Sequence, residues 1–360
     1  PKTPTPNRMA GQTPTPIKHQ NQNLTRMRGR IKRLRVKNLL SLRDVTIDFG
    51  ESLTVLVGPN AGGKSNIIKT LEIIKKCASI DVHGQKAPLN IIGINMEEYA
   101  YKGEPKRSIN IQVEGKVSDY DFTYKVVFRG GRIRWDMTPL NETQIAEFLK
   151  VMGFYSFIPQ SMLSEVEIED KPILSRDGSN LAGLLAYLKL TEYKMFHTIE
   201  EKLRNYVPEI EEIVIPPKTI PSKKVYRIRI RERGFMKSFT NISDGTLRLL
   251  GFVTALSLNH SLVAFEEPEN CIHPHLLELL VDMMRKADCQ VVITTHSPYL
   301  LDYVEPEEVV VVWREMGEEG LETKVRRPSE EELERVKALL RDGWTLGEVW
   351  CSGVIGGVPE

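Results

Sequence analysis

The chain has no acidic residue before Asp44, no Cys-x-x-Cys pair, no Asn-Lys-x-Asp motif, and no apolar run near the roughly 20 residues that cross a bilayer. Each absence excludes a class. Four cysteines, Cys77, Cys271, Cys289 and Cys351, are too scattered for a zinc ribbon or a secreted disulfide framework, so a reducing cytoplasm is the expected compartment. With neither a long apolar run nor a hydrophobic signal core, no membrane partner is expected. Guanine specificity lacks its usual motif. Lys and Arg number 49 against 48 Asp and Glu, a formal charge of +1, so no global field draws the chain to nucleic acid. The charge is nevertheless uneven. Ahead of Asp44 lie Arg26, Arg28, Arg30, Lys32, Arg33, Arg35, Lys37 and Arg43, and Thr-Pro-Thr-Pro occurs at 3–6 and again at 13–16. Such a composition buries little apolar surface, and residues 1–29 are expected to be a basic, Pro/Thr-rich disordered tail.

What is present begins with Gly58-Pro-Asn-Ala-Gly-Gly63-Lys64-Ser65, between an apolar strand pattern at 52–57 and a helical pattern at 65–76. Strand, glycine-rich turn and helix form a phosphate-binding loop. Gly58, Gly62 and Gly63 let the backbone turn tightly, Asn60 and Asn66 flank the turn, Lys64 reaches the outer phosphates, and Ser65 offers a hydroxyl to Mg²⁺. A nucleoside triphosphate with Mg²⁺ is therefore the expected ligand.

Three later motifs share that logic. Leu262-Val-Ala-Phe265 is an apolar strand running into Glu266-Glu267, which delivers carboxylates to the sheet edge where the phosphate loop lies. Glu266 is then the candidate for holding Mg²⁺, and Glu267 for polarising the attacking water. Val291 to Thr295 is a second buried strand, with His296 at its tip to sense the γ-phosphate. Asn241-Ile-Ser243-Asp-Gly245-Thr246 reads as a capped helix start that presents a hydroxyl and a glycine to an anion. Between these motifs, hairpin signals over 108–135 and helical segments over 142–206 suggest an inserted subdomain at about 80–240. A strand spanning 224–231 would set Arg227, Arg229 and Arg231 on one face, which keeps DNA open as a partner.

In this order and spacing the motifs resemble the ATP-binding-cassette ATPases, in the branch with structural-maintenance-of-chromosomes heads, RecF and the overcoming-lysogenization-defect proteins. The resemblance covers about residues 31–313. It implies an α/β P-loop NTPase: an ABC head with a mixed, largely parallel central sheet, an antiparallel β subdomain and an inserted helical subdomain. It makes 58–65 the Walker A loop, Ser243 and Gly245 the signature, Glu266 and Glu267 the Walker B end, and 270–274 the D-loop. His296 becomes the switch histidine, and Gln160 falls where a Q-loop glutamine meets Mg²⁺. The signature reads Ser-Asp-Gly-Thr and Walker B opens on Glu266 rather than Asp, both subfamily marks. By the same resemblance the chain hydrolyses ATP in a homodimer with ATP at the interface. Residues 314–360 are expected to hold one charged helix and a Gly-rich tail that packs on the head or docks a partner, with no Toprim-like nuclease. The output would then pass to a separate nuclease or toxin effector.

Overall fold

A computed structural model describes residues 29–80, 87–88, 93, 95–104, 106–138, 142–221, 223–238 and 241–357. The basic arm ahead of Gly29 lies outside them. Gly29 and Arg30 lie in the first strand, so residue 29 belongs to the described fold and not to the expected tail.

The central sheet has the order β17-β16-β3-β15-β14-β8. Its members are β3 (Leu53–Val57), β8 (Gly153–Tyr155), β14 (Leu262–Glu266), β15 (Gln290–Thr295), β16 (Val309–Gly317) and β17 (Gly320–Arg326). Every pairing is parallel except β16 with β17. Period-two alternation sends side chains of one strand to two different cores. In β3, Val55 and Val57 enter one core while Leu56 enters the other, and Val263/Phe265 against Leu262/Ala264 in β14 repeat the division. Burial on both faces explains why these strands read as unbroken apolar runs.

On one side, the helix after β3, α1 (Lys64–Ala78), lies between the central sheet and an antiparallel sheet. That second sheet has the order β2-β1-β5-β6-β7-β4, made of β1 (Gly29–Leu39), β2 (Leu42–Asp48), β4 (Ala87–Pro88), β5 (Ile109–Val117), β6 (Tyr120–Arg129) and β7 (Arg132–Thr138). Ile67, Ile68, Leu71 and Ile74 of α1 share a core with Leu34 and Val36 of β1 and with Val113 and Val126. The other side is helical. There α7 (Asp244–Ser257) shares a core with α5 (Leu181–Thr191), α6 (Tyr193–Tyr206) and α8 (Leu277–Arg285).

Two expected boundaries change. The stretch 80–240 is not one insertion: β5, β6 and β7 extend the sheet begun by β1, β8 joins the central sheet, and only the segment after β8 builds the helical face with small β ribbons. Residues 314–360 are not an appendage either, because β16 and β17 belong to the central sheet and Leu346, Val349, Trp350 and Ile355 of the tail are buried in its helical-side core. Hydrophobic burial of Trp350 and Val349 settles the tail on the head.

Candidate functional site

The sheet's carboxyl edge gathers the motifs. Gly58 leaves β3 so close to β16 that a Cβ there would sit 1.8 Å from the Val312 carbonyl oxygen. Gly63 holds φ 113 against Thr323, where a Cβ would lie 2.2 Å from the hydroxyl. Only glycine fits both positions. No side chain caps α1 at Gly63, so the helix N-terminus opens on a cavity of about 160 Å³ lined by Asn60, Gly62, Gly63, Lys64, Ser65, Asn66, Glu267, Thr294 and Arg314. Free amides at a helix start are suited to phosphate oxygens.

Lys64 is 6% exposed and folds over its own loop, donating to the carbonyls of Gly58 at 2.7 Å and Pro59 at 2.9 Å. Burial holds its pKa below the usual lysine value, opposed by the charges of Glu267 and Glu269. Asn66 is occupied otherwise. Its amide donates to Ser41 Oγ at 2.7 Å, Ser41 meets Thr323 Oγ1 at 2.6 Å, and Thr323 donates to the Gly62 carbonyl at 3.0 Å. That chain of hydroxyls braces the phosphate loop from β17 and the β1–β2 turn, and gives Asn66 a bracing contact in place of an open one.

The acidic end of β14 is equally ordered. Ser65 Oγ donates to Glu266 Oε2 at 2.7 Å, which puts a hydroxyl and a carboxylate together, the hard oxygen donors Mg²⁺ prefers. Arg176 also binds Glu266, and reaches Glu72 on α1 with its other nitrogen. Glu267 has φ 45, a left-handed conformation, and its N–H donates to the Thr294 carbonyl at 3.0 Å. Its carboxylate accepts from Asn270 Nδ2 at 2.9 Å and lies 3.2 Å from His296 Nδ1. Backbone strain in a residue with two side-chain tethers is the mark of an imposed orientation. Glu269 sits behind this group, accepting from Thr295 Oγ1 at 2.5 Å, and burial raises its pKa. It is a half-buried brace at the edge of the site.

The signature turn lies elsewhere on the surface. Ser243 is exposed and caps α7, its hydroxyl accepting from the Thr246 N–H at 3.1 Å and meeting Thr246 Oγ1 at 2.7 Å. Neither Ser243 nor Gly245 lines the phosphate cavity. One buried residue links the two regions: Arg248, 5% exposed on α7, donates to the Glu267 carbonyl at 2.9 Å. Burial lowers its pKa, against the charges of Glu269 and Glu267.

Of the residues singled out by sequence, the structure brings together Gly58, Asn60, Gly62, Gly63, Lys64, Ser65, Asn66, Glu266, Glu267 and His296 around one edge. Gln160 is exposed on the single-turn helix Pro159–Met162 and makes no hydrogen bond to any of them among the described residues. Arg176, Arg248 and Arg314 were missed. Arg176 sits in a Ser-Arg-Asp-Gly-Ser-Asn turn whose punctuation was visible, but its carboxylate partners lie 104 and 90 residues away along the chain.

The arginine face is a correction. Residues 224–231 do not form one strand, because the ladder breaks at Arg227 and Ile228 into β11 (Lys223–Tyr226), paired with β10 (Pro217–Ile220), and β12 (Arg229–Glu232), paired with β9 (Ile210–Val214) and β13 (Phe235–Lys237). Ile228 is buried at the break, which turns the chain from one ribbon to the next. Several of the cations are also paired: Arg227 with Glu165, Lys223 with Glu167 at 2.6 Å, Arg231 with Glu212 at 3.2 Å and Lys237 with Glu232 at 2.6 Å, whereas Arg229 has no ion pair among the described residues. These acidic partners weaken the field that would attract a phosphate backbone.

No helix among the described residues is long and apolar enough to cross a membrane. A family profile described as an AAA domain matches residues 33–214, and a second AAA-domain profile, whose description links it to the AbiEii toxin and type IV TA systems, matches 165–302. An OLD nuclease of Thermus scotoductus is 22% identical, over 85% of this chain and 66% of the relative, so the chain spans slightly less than two thirds of that protein. Among solved structures, the Smc head bound to the C-winged helix domain of ScpA superposes with a TM-score of 0.56 at 12% identity, over 84% of this chain and 99% of that one. A Smc head with an extended coiled coil, bound to the C-terminal domain of ScpA derived from Pyrococcus furiosus, gives 0.56 at 12% identity over 87% and 99%. These likenesses show a shared P-loop fold with a mixed central sheet.

Proposed function

The chain belongs to the AAA-domain family, and from that premise we propose that it is an ATP-hydrolysing head that closes on a second copy of itself around two ATP molecules. One observation carries the reading. Walker A and Walker B residues are assembled within one chain, whereas Ser243 and its helix start are exposed and outside the phosphate cavity. A second copy supplies the missing wall. Bound Mg-ATP brings the scissile γ-phosphate and the charge of the metal. Lys64 exchanges its two carbonyl partners for phosphate oxygens, a charge-assisted replacement for neutral contacts. Arg314 adds positive charge on the β16 side. Ser65 and Glu266 supply oxygens to the cation. Glu267, fixed by Asn270 and His296, orients water and takes its proton, and His296 registers whether the γ-phosphate is present.

Loss of the γ-phosphate removes the group that both copies hold, so the pair separates and the event becomes a switch. We place that switch in an antiphage-defence or DNA-maintenance complex, acting on a separate nuclease or toxin effector. The OLD nuclease relative and the toxin-linked profile support this output. A RecF-type DNA clamp is the less favoured reading, since the arginine stripe it needs is divided between two ribbons and two of its three arginines are paired with carboxylates. Glu267→Gln is the test: it keeps the shape and the Asn270 contact but cannot accept a proton, so hydrolysis falls about 10³-fold while ATP binding persists. Sedimentation with saturating Mg-ATP then shows a dimer. Wild-type turnover in that variant, or a monomer that holds ATP, contradicts the proposal.

A further inference from the structure

Glu266 has two partners drawn from distant parts of the chain. Oε2 accepts from Ser65 at 2.7 Å and Oε1 from Arg176, whose guanidinium also meets Glu72. The loop that presents Arg176 is heavily tied. The Arg176 carbonyl accepts from the Ser156 N–H at 2.8 Å, and the Asp177 carbonyl from the Ile158 N–H at 3.0 Å, which fastens the loop to the chain leaving β8. Within it, Ser179 N–H donates to Asp177 Oδ1 at 3.0 Å, Ser175 N–H to Asn180 Oδ1 at 2.8 Å, and Asn180 Nδ2 to the Ile173 carbonyl at 2.8 Å. A rigid turn therefore places one cation on the Walker B carboxylate.

We propose that Arg176 is a positioning residue that neutralises Glu266 before a divalent cation does, so that metal entry is a displacement of the guanidinium. The inference deepens the reading of Glu266 as the metal-holding carboxylate and rests on it. The Glu266 side chain is only 17% exposed, too little for water alone to offset its charge. Arginine cannot shed its proton to make way, so it leaves only by competition. Glu72 gives it a place to remain once released. While Arg176 occupies Glu266, only the open fraction of the protein takes metal, and the apparent affinity drops by that fraction.

Mn²⁺ titrated into the full chain without nucleotide, and followed by the paramagnetic resonance of free Mn²⁺, reads this directly. An ion pair of this partial exposure shifts the equilibrium by about fivefold, so Arg176→Ala should lower the Mn²⁺ half-saturation about fivefold, and Arg176→Lys, which keeps the charge, should stay within about twofold of wild type. Should the alanine variant fail to fold by circular dichroism, Arg176→Gln is judged by the same criterion. A half-saturation equal to or above that of wild type in the uncharged variant overturns the proposal. Glu266→Gln separates the two readings. If it leaves Mn²⁺ binding at the wild-type level, the metal assignment itself fails; if it weakens binding while Arg176→Ala changes nothing, only the role of Arg176 is lost.

Discussion

The phosphate-loop edge and the signature turn are both helix starts near the same sheet, yet they are built to opposite ends. At the first, glycine replaces a cap, a lysine is buried under the loop, and a cavity opens on uncapped amides. At the second, Ser243 caps its own helix and stands in solvent. On the proposed reading, a cavity and a turn that caps itself while facing outward would be complementary halves of one site. The difference is what that reading requires of a single chain: one edge to grip a triphosphate and, at a distance, a second to cover another.

Two substitutions break the comparison at its ends. Replacing Lys64 by Ala removes the charge-assisted contact proposed for the phosphates, so nucleotide affinity should fall at least about 100-fold, near 2.7 kcal/mol, by titration with a fluorescent ATP analogue. Ser243→Arg should leave that affinity within about twofold, yet an arginine at a close-packed interface displaces the partner loop, and a misplacement near 1 Å costs about 100-fold in turnover. Sedimentation with Mg-ATP should find the arginine variant monomeric. If both variants lose binding alike, the two regions are not separate halves.

Arg248 joins the halves, and its variant sharpens the contrast by a smaller amount. It is a buried cation whose Nε has no partner among the described residues, and whose Nη2 holds the Glu267 carbonyl. In Arg248→Met the stem still packs beside Phe252, whose ring lies 5.7 Å from the guanidinium, and the burial cost of the charge disappears. Thermal unfolding should therefore move by no more than about 1 kcal/mol in either direction. Hydrolysis should drop about tenfold, because the strained φ of Glu267 loses one of its supports. A variant that unfolds yet keeps its turnover per folded molecule would place Arg248 outside the site's support.

Legibility in the sequence followed the range of the physics. Unbroken apolar runs in β3, β14 and β15 and the glycine spacing of 58–63 are local patterns, so the parallel core and the phosphate loop were readable, as were the carboxylates at the end of β14. The Ser41–Asn66–Thr323 brace, Arg176 on Glu266 and Arg248 on Glu267 are pairings between residues whose own neighbourhoods say nothing of a partner. The false strand over 224–231 failed for a related reason. Alternation Tyr-Arg-Ile-Arg-Ile-Arg fits one strand locally, but two ribbons compete for its two ends and Ile228 is drawn into the core between them. The tail after Gly343 was ambiguous until Trp350 and Val349 found the helical-side core.

The smallest change asks which duty Ser243 performs. As a cap, its hydroxyl satisfies the Thr246 N–H, and Ser243→Ala should cost about 1 kcal/mol of stability in the protein without nucleotide. As a half-site donor, the same hydroxyl must rotate away from Thr246 to meet a phosphate, so its loss should also weaken the ATP-dependent dimer of Glu267→Gln by about fivefold, the worth of one hydrogen bond. Threonine at 243 keeps the cap and the donor, and should restore both. Because stability and dimerisation are measured in different states, one by melting without nucleotide and one by sedimentation with it, they separate the duties. A drop in melting temperature with unchanged dimerisation would leave Ser243 a cap and nothing more, and would move the covering wall to the backbone amides of Gly245 and Thr246.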